Sequence, residues 1–408
     1  ESCMSLTLPS SYESASKNSN IKENWAFQLF NSNSYLSFDG SNDYVDCGTT
    51  TGSSAVTVSD QGTFAFWIRF PTLVDGQAEA IFVNNVIESS YSGIWISKTG
   101  EHKIQTHMMD GSGVGSGDRE TFLSGTVLQE NVWYFIVIAS NFNHDDSAVN
   151  TNWKIYVNND ASGNVTNSGT ASINAPSYTT GKCEFGRVTT GTDVYGKFDI
   201  KNFAVWELEL STNNITAIYN SGNYKSLLYD FGNYDQSTNL KAYWEFNNGE
   251  PFIQDLSGNL QNGTISGATY EGFLPLSTTD TSINDTFYHG VVTSTGSVRD
   301  SIDLENSKAK TSNLSVSISN FNYKGSDIST ELLFGTYDYF NYNVRVYSQL
   351  NDNSTISNCL QIYQGRLINI QHNDSSLSLD ITEKKPWDFL SIPIDKTTQK
   401  NIYIPISY

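Results

Sequence analysis

The chain has 408 residues, of which 38% are hydrophobic and 16% charged, with 43 acidic residues against 23 basic and a formal net charge of −20. That length exceeds one ordinary core and implies two or three domains, and the apolar fraction excludes a wholly disordered chain. So acidic a balance excludes a broad basic footprint for nucleic acid or an anionic membrane surface.

The start, Glu1 to Pro9, has neither the basic nor the apolar region of a signal peptide. Residues 13–30 begin polar and then alternate Trp25, Phe27, Leu29, which predicts a half-buried strand. Short strands between Gly, Asn, Ser and Asp turns follow, at Tyr35–Phe38, Phe64–Phe70, Gly93–Ile96, Trp133–Ile138, Trp153–Val157, Phe198–Trp206 and Leu240–Phe246. One short helix is predicted after Ser211, with Ser211 as N-cap and Gly222 past its end. Many alternating strands of this kind argue for a two-sheet sandwich. Trp67, Trp153, Trp206 and Trp244 are assigned to its core and Trp95 to its surface. The stretch 273–282 reads as a linker. Beyond it, new alternating strands run through Leu314–Ser319, Val344–Tyr347, Leu360–Tyr363 and Leu377–Ile381. The end, Lys400 to Tyr408, is apolar and alternating and reads as a strand completed by further chain or by a neighbour. No apolar run reaches the ~18 residues of a transmembrane helix.

The chemistry-bearing residues are sparse. Four cysteines, Cys3, Cys47, Cys183 and Cys359, are spaced too widely for a dense disulfide scaffold, although their even number permits two bridges. The histidines form no ligand-spaced cluster. A glycoside hydrolase needs two carboxylates about 5–10 Å apart across the scissile bond. The nearest pair is Glu207 and Glu209, at a strand-to-helix turn, where a solvated charge pair is the better reading. No enzymatic activity is expected. Glycan binding needs an aromatic ring with hydrogen-bonding side chains on a rigid face. Tyr91 and Trp95, with His107, Asp110 and Arg119 around the Gly-rich stretch 111–117, are the candidates.

Six segments in order resemble the laminin-G-like, concanavalin-A-like jelly-roll family. They begin at Leu36–Val45 and Thr63–Ile68, continue through Trp153–Ala161 and Gly196–Asn220, and close with Leu240–Phe246 and Asp255–Ile265. The resemblance implies a two-sheet jelly roll that binds glycans or proteins, often with Ca2+ near a sheet rim. It implies oxygen ligands from Asp39, Asn42, Asp255 and Asn259, although such residues also serve simply as turn formers.

The segments Phe287–Val292, Val298–Leu304, Ser307–Ile318, Cys359–Leu367, Leu377–Thr382 and Lys385–Phe389 resemble β-barrel segments of bacteriophage tail-tip hub or baseplate proteins. The architecture expected is therefore all-β: a jelly roll at 33–272 inserted into a discontinuous, barrel-like tail domain formed by 1–32 and 283–408. The resemblance implies a structural component of a virion tail tip, packed against other tail proteins and copies of itself in a cyclic ring, with a projecting domain that binds host-surface glycan. The alternative is an extracellular adhesin, secreted or on a cell surface, with the same glycan-binding domain.

Overall fold

The computed structural model describes residues 8–51, 56, 61–84, 92–110, 119–141, 153–161, 180–190, 192–223, 225–247, 249, 252–297, 301–303, 308–310 and 313–383. The chain divides into two compact units, one of residues 1–34 and 272–408 and one of residues 35–271.

The unit 35–271 is a sandwich. One sheet orders its strands Asp160–Ala161, Trp153–Val157, Trp133–Asn141, Gln61–Arg69, Asp199–Trp206, Tyr35–Ser37 and Thr269–Glu271, with Leu240–Trp244 also paired to Asp199–Trp206. The other runs Phe252–Ile253, Gly263–Ser266, Tyr44–Thr51, Thr180–Phe185, Glu79–Asn84, Ser92–Lys98, Ile104–Asp110 and Arg119–Leu123. The aromatic side chains that alternate along these strands interlock between the sheets. Phe82 lies 4.6 Å from Phe203 and 4.9 Å from Phe185, and Phe185 meets Trp244 edge-on at 5.2 Å. Such pairs add to the stabilisation from burial itself. Trp206 and Trp244 are fully buried and Trp67 is half-buried; the Trp153 side chain lies outside the described residues.

The helix Thr212–Tyr219 packs Ile215 and Ile218 on the outer face of the first sheet, against Trp206 and Tyr156. Ser211 caps it by accepting from the Asn214 N–H at 3.2 Å, and Asn220 ends it in the left-handed region. The first and last strands of the unit are neighbours: Tyr35 pairs with Glu271.

The other unit is built on one nine-stranded sheet. Its order is Thr281–Ile283, Thr286–Gly290, Leu274–Ser277, Glu23–Leu29, Asn343–Leu350, Leu360–His372, Ser376–Glu383, Leu314–Ser319 and Val292–Thr295. Phe27, Leu276, Val316, Val346 and Leu379 form its core with Ile328 and Leu332 of the helix Ile328–Phe334.

Four features of this unit differ from the sequence reading. The ladder runs from edge to edge and does not close into a barrel among the described residues. The stretch 273–282 is not a linker: Leu274–Ser277 is a buried strand between Glu23–Leu29 and Thr286–Gly290, because Leu274 and Leu276 alternate into the core. The strand Glu23–Leu29 is covered on both faces rather than one, since Ala26 meets Tyr288 and Tyr347 behind the sheet. Its buried polar side chains are satisfied. Gln28 Nε2 donates to Tyr288 at 2.8 Å, and Asn24 Nδ2 donates to Gln349 Oε1 at 2.9 Å. A short helix, Ser10–Ser16, also forms directly after Pro9, where no helix was predicted.

Candidate functional site

The outer face of the second sheet of the sandwich carries a polar cleft. The strands Tyr44–Thr51 and Gly263–Ser266 pair antiparallel, with Asp46 opposite Thr264 and Tyr44 opposite Ser266. Val45 and Cys47 point into the core, so by strand alternation Tyr44 and Asp46 point outward. Tyr44, Asp46, Asn262, Thr264 and Ser266 line an open cleft of about 410 Å3. The Asp46 Oδ1 accepts from the Gly48 N–H at 2.7 Å, which orients the carboxylate, and Asn262 Oδ1 accepts from the Asp255 N–H at 2.9 Å. The Arg187 guanidinium lies 3.6 Å from the Tyr44 ring centroid. It is held there by the buried Glu184, whose Oε1 and Oε2 accept from Nη2 at 2.5 Å and Nε at 3.2 Å. Glu184 opposes Asp46 in the ladder, so ion pair, ring and cleft are contiguous. An aromatic ring, a carboxylate, an amide and two hydroxyls on a rigid sheet form a donor and acceptor set suited to a polyhydroxylated ligand.

Farther along the same face, Trp95 pairs with His107 in the ladder, and the two rings lie 5.0 Å apart. His107 and Thr121 are both buried, with Nδ1 and Oγ1 2.8 Å apart. The hairpin Arg187–Thr190 and Thr192–Tyr195 lies beside the strand Glu79–Asn84, and its Val188 joins Ala80 and Val83 in a cluster against which Trp95 and Val194 pack. The hairpin leaves the sheet at Gly186, which is in the left-handed region at φ +79°, where a Cβ would sit 2.5 Å from the Phe38 ring. Trp95 is therefore half-buried against this cluster rather than free on the surface. Its indole N–H is buried without a hydrogen-bond partner among the described residues. Asp110 and Arg119 pair in the backbone with Ser92 and Met109; their side chains, and the whole of Tyr91, lie outside the described residues. The structure thus brings Trp95 and His107 together. Sequence reasoning missed the cleft residues Tyr44, Asp46, Asn262, Thr264 and Ser266. Their signal was outward polar alternation in two strands, which means nothing until the strands are paired.

Three of the four residues named for an ion, Asp39, Asp255 and Asn259, have other work. Asp255 is buried, and its Oδ1 accepts from the N–H groups of Tyr243 and Ser257, both at 2.9 Å, while Oδ2 accepts from Gln261 at 3.1 Å. Asn259 donates Nδ2 to the Lys241 carbonyl at 2.9 Å, and Asp39 Oδ1 accepts from the Ser41 N–H at 2.7 Å. Asn42 is exposed. Among the described residues, no group of three or more His, Cys, Asp or Glu side chains is placed to hold a metal. With Asp39, Asp255 and Asn259 fastening turns and Asn42 exposed, the four do not present the roughly six to eight converging oxygens that Ca2+ takes. Glu207 pairs with Lys241, and Glu209 with Lys154 at 2.7 Å, so the two carboxylates sit in separate ion pairs.

Cys47, Cys183 and Cys359 are free and buried, and Cys3 lies outside the described residues. Burial and the neighbouring Cys183 push the Cys47 thiol well up, and burial pushes Cys359 up to about 11.

Residues 39–216 match the model of the concanavalin A-like lectin/glucanases superfamily. The match covers less than half of the chain and lies within the sandwich. No curated protein matches the chain. Among solved structures, a candidate carbohydrate-binding protein of Bacteroides ovatus is 13% identical with a TM-score of 0.37, covering 65% of this chain and 62% of its own. The chain therefore spans less than two thirds of that protein. A heptameric pentraxin of Limulus polyphemus is 12% identical with a TM-score of 0.33, covering 46% and 81%. The CBM40 domain of a Ruminococcus gnavus sialidase, bound to sialyllactose, is 12% identical with a TM-score of 0.32, covering 46% and 97%. What those proteins bind is a property of those proteins.

Proposed function

We propose that the sandwich, residues 35–271, is a glycan-binding domain, and that its binding site is the cleft at Tyr44, Asp46, Asn262, Thr264 and Ser266. The observation that carries this reading is the cleft itself: one ring with a carboxylate, an amide and hydroxyls, on paired strands of a lectin-type sheet. Binding rather than hydrolysis is proposed, because the nearest acidic pair, Glu207 and Glu209, is engaged with lysines. The test is a glycan array and titration with the full chain and Tyr44→Ala. Saturable binding of at least one glycan, weakened about tenfold (~1.4 kcal/mol) in Tyr44→Ala, is the expected result. Equal binding by parent and variant would place the site elsewhere.

The finer reading is that the split unit is a structural element of a bacteriophage tail tip, assembled with other tail proteins and copies of itself in a ring, so that the lectin-like domain meets host-surface glycan. Its support is the resemblance of the segments that make up the strands Thr286–Gly290, Leu314–Ser319, Leu360–His372 and Ser376–Glu383. The same glycan site serves equally in an extracellular adhesin. Electron microscopy of the purified chain separates the two: closed rings of one symmetry support the tail role, and monomers support the adhesin.

A further inference from the structure

The split unit has an aromatic cleft of its own, which the glycan-binding reading of the sandwich does not use. The hairpin Asn322–Tyr323 and Ser326–Asp327 turns through Lys324 and Gly325, both with positive φ (52° and 95°), as a two-residue turn of the primed kind. The helix Ile328–Phe334 follows at once. Ile328 and Leu332 point into the core, which leaves Glu331 at the side of the helix. Tyr339 is buried, and its hydroxyl is held between Glu331 Oε1, to which it donates at 3.2 Å, and the Asn31 side chain. These residues, with Phe273, Tyr323 and Tyr337, line a cavity of about 190 Å3. Tyr337 stands at its rim, 40% exposed.

We propose that this cleft binds one ring of an uncharged saccharide. The chemistry is an aromatic wall beside a carboxylate and amides. Tyr and Phe faces cover the C–H side of a pyranose, while Glu331 and Asn31 accept and donate to its hydroxyls. The volume lies below the ~300 Å3 at which drug-sized pockets begin, so the cleft takes one ring and not an extended peptide. The charge argues for a neutral sugar. The carboxylate is inside, and the one lysine of the lining is exposed, its Nζ 5.0 Å from the Tyr323 ring.

The test is ligand-observed NMR on the full chain carrying Tyr44→Ala, which weakens the site proposed on the sandwich. The probes are methyl hexosides, N-acetylhexosamines and N-acetylneuraminic acid at millimolar concentration. Saturable binding of a neutral sugar is expected to persist in this background. It should weaken at least about tenfold on adding either Tyr337→Ala or the near-isosteric Glu331→Gln. Glu331→Gln also gives the answer if Tyr337→Ala fails to fold. The proposal is overturned if no neutral sugar binds in the Tyr44→Ala background, if both added variants bind as well as that background, or if only the anionic sugar binds. Because Tyr337→Ala and Glu331→Gln are each compared with the same Tyr44→Ala background, the loss they cause is read at this cleft, whether or not the sandwich cleft is a glycan site.

Discussion

Lys201 shows at the level of one residue how the sandwich tolerates charge. Its Nζ lies 4.3 Å from the Trp133 ring centroid, beside Arg69, whose Nε donates to the buried Asp199 at 2.7 Å and whose Nη2 donates to Tyr35 at 2.8 Å. Burial, and then the Arg69 charge, lower the Lys201 ammonium to about 8 from an ordinary 10.5. The unfolded chain therefore binds the proton more tightly between these values. The cost of holding Lys201 charged in the fold is fully present below about pH 8 and relieved as pH rises toward 10.5. Replacing Lys201 by Met keeps the stem and removes the charge. The variant should gain on the order of 1 kcal/mol over the parent at pH 7, and the difference in Tm should shrink towards pH 10. A difference independent of pH across that window would mean that packing alone is responsible.

At the level of the strand pair, Glu79 and Lys98 face each other across Glu79–Asn84 and Ser92–Lys98, and both side chains are almost wholly buried, with Nζ and Oε1 3.3 Å apart. Glu79 is held above the usual carboxylate range chiefly by that burial, with Lys98 opposing. Lys98→Met alone strands a buried carboxylate and should cost about 3–5 kcal/mol in denaturant unfolding. Adding Glu79→Leu should recover most of that loss; a double variant as unstable as the single one would show that the pair is more than mutual neutralisation. This pair is also a measure of what can be read from a sequence. The strands themselves, and the helix capped by Ser211, follow from alternation and turn chemistry within a dozen residues, and the burial of Trp206 and Trp244 follows with them. Partners far apart in the chain do not. Tyr44 and Ser266 meet only through a register set by distant segments. Trp95 looks like a surface platform until the hairpin at 187–195 brings Val188 into the cluster it packs against. Asp255 and Asn259 have the residue types of ion ligands, yet bind backbone groups, because an Asp in a turn has the same sequence neighbours in either role.

At the scale of the whole molecule, the two units exchange the chain where both make adjacent strands or turns. In the sandwich, Tyr35 and Glu271 are ladder partners, so the two ends emerge side by side. In the split unit, Ser34 Oγ donates to the Gly272 carbonyl at 3.2 Å, so the two ends there are equally close. The cores are separate: Phe82, Phe185 and Phe203 belong to one and Phe27, Val346 and Leu379 to the other. A short Gly/Ser bridge between Ser34 and Gly272 spans a gap no wider than a strand spacing of about 5 Å and closes a small loop at little entropic cost. Residues 35–271 alone, and the split unit joined by such a bridge, should therefore each give a single cooperative unfolding transition, the first retaining whatever glycan binding depends on Tyr44. If the isolated sandwich unfolds without cooperativity while the full chain does not, its stability depends on the split unit, and the separate cores do not make separate domains.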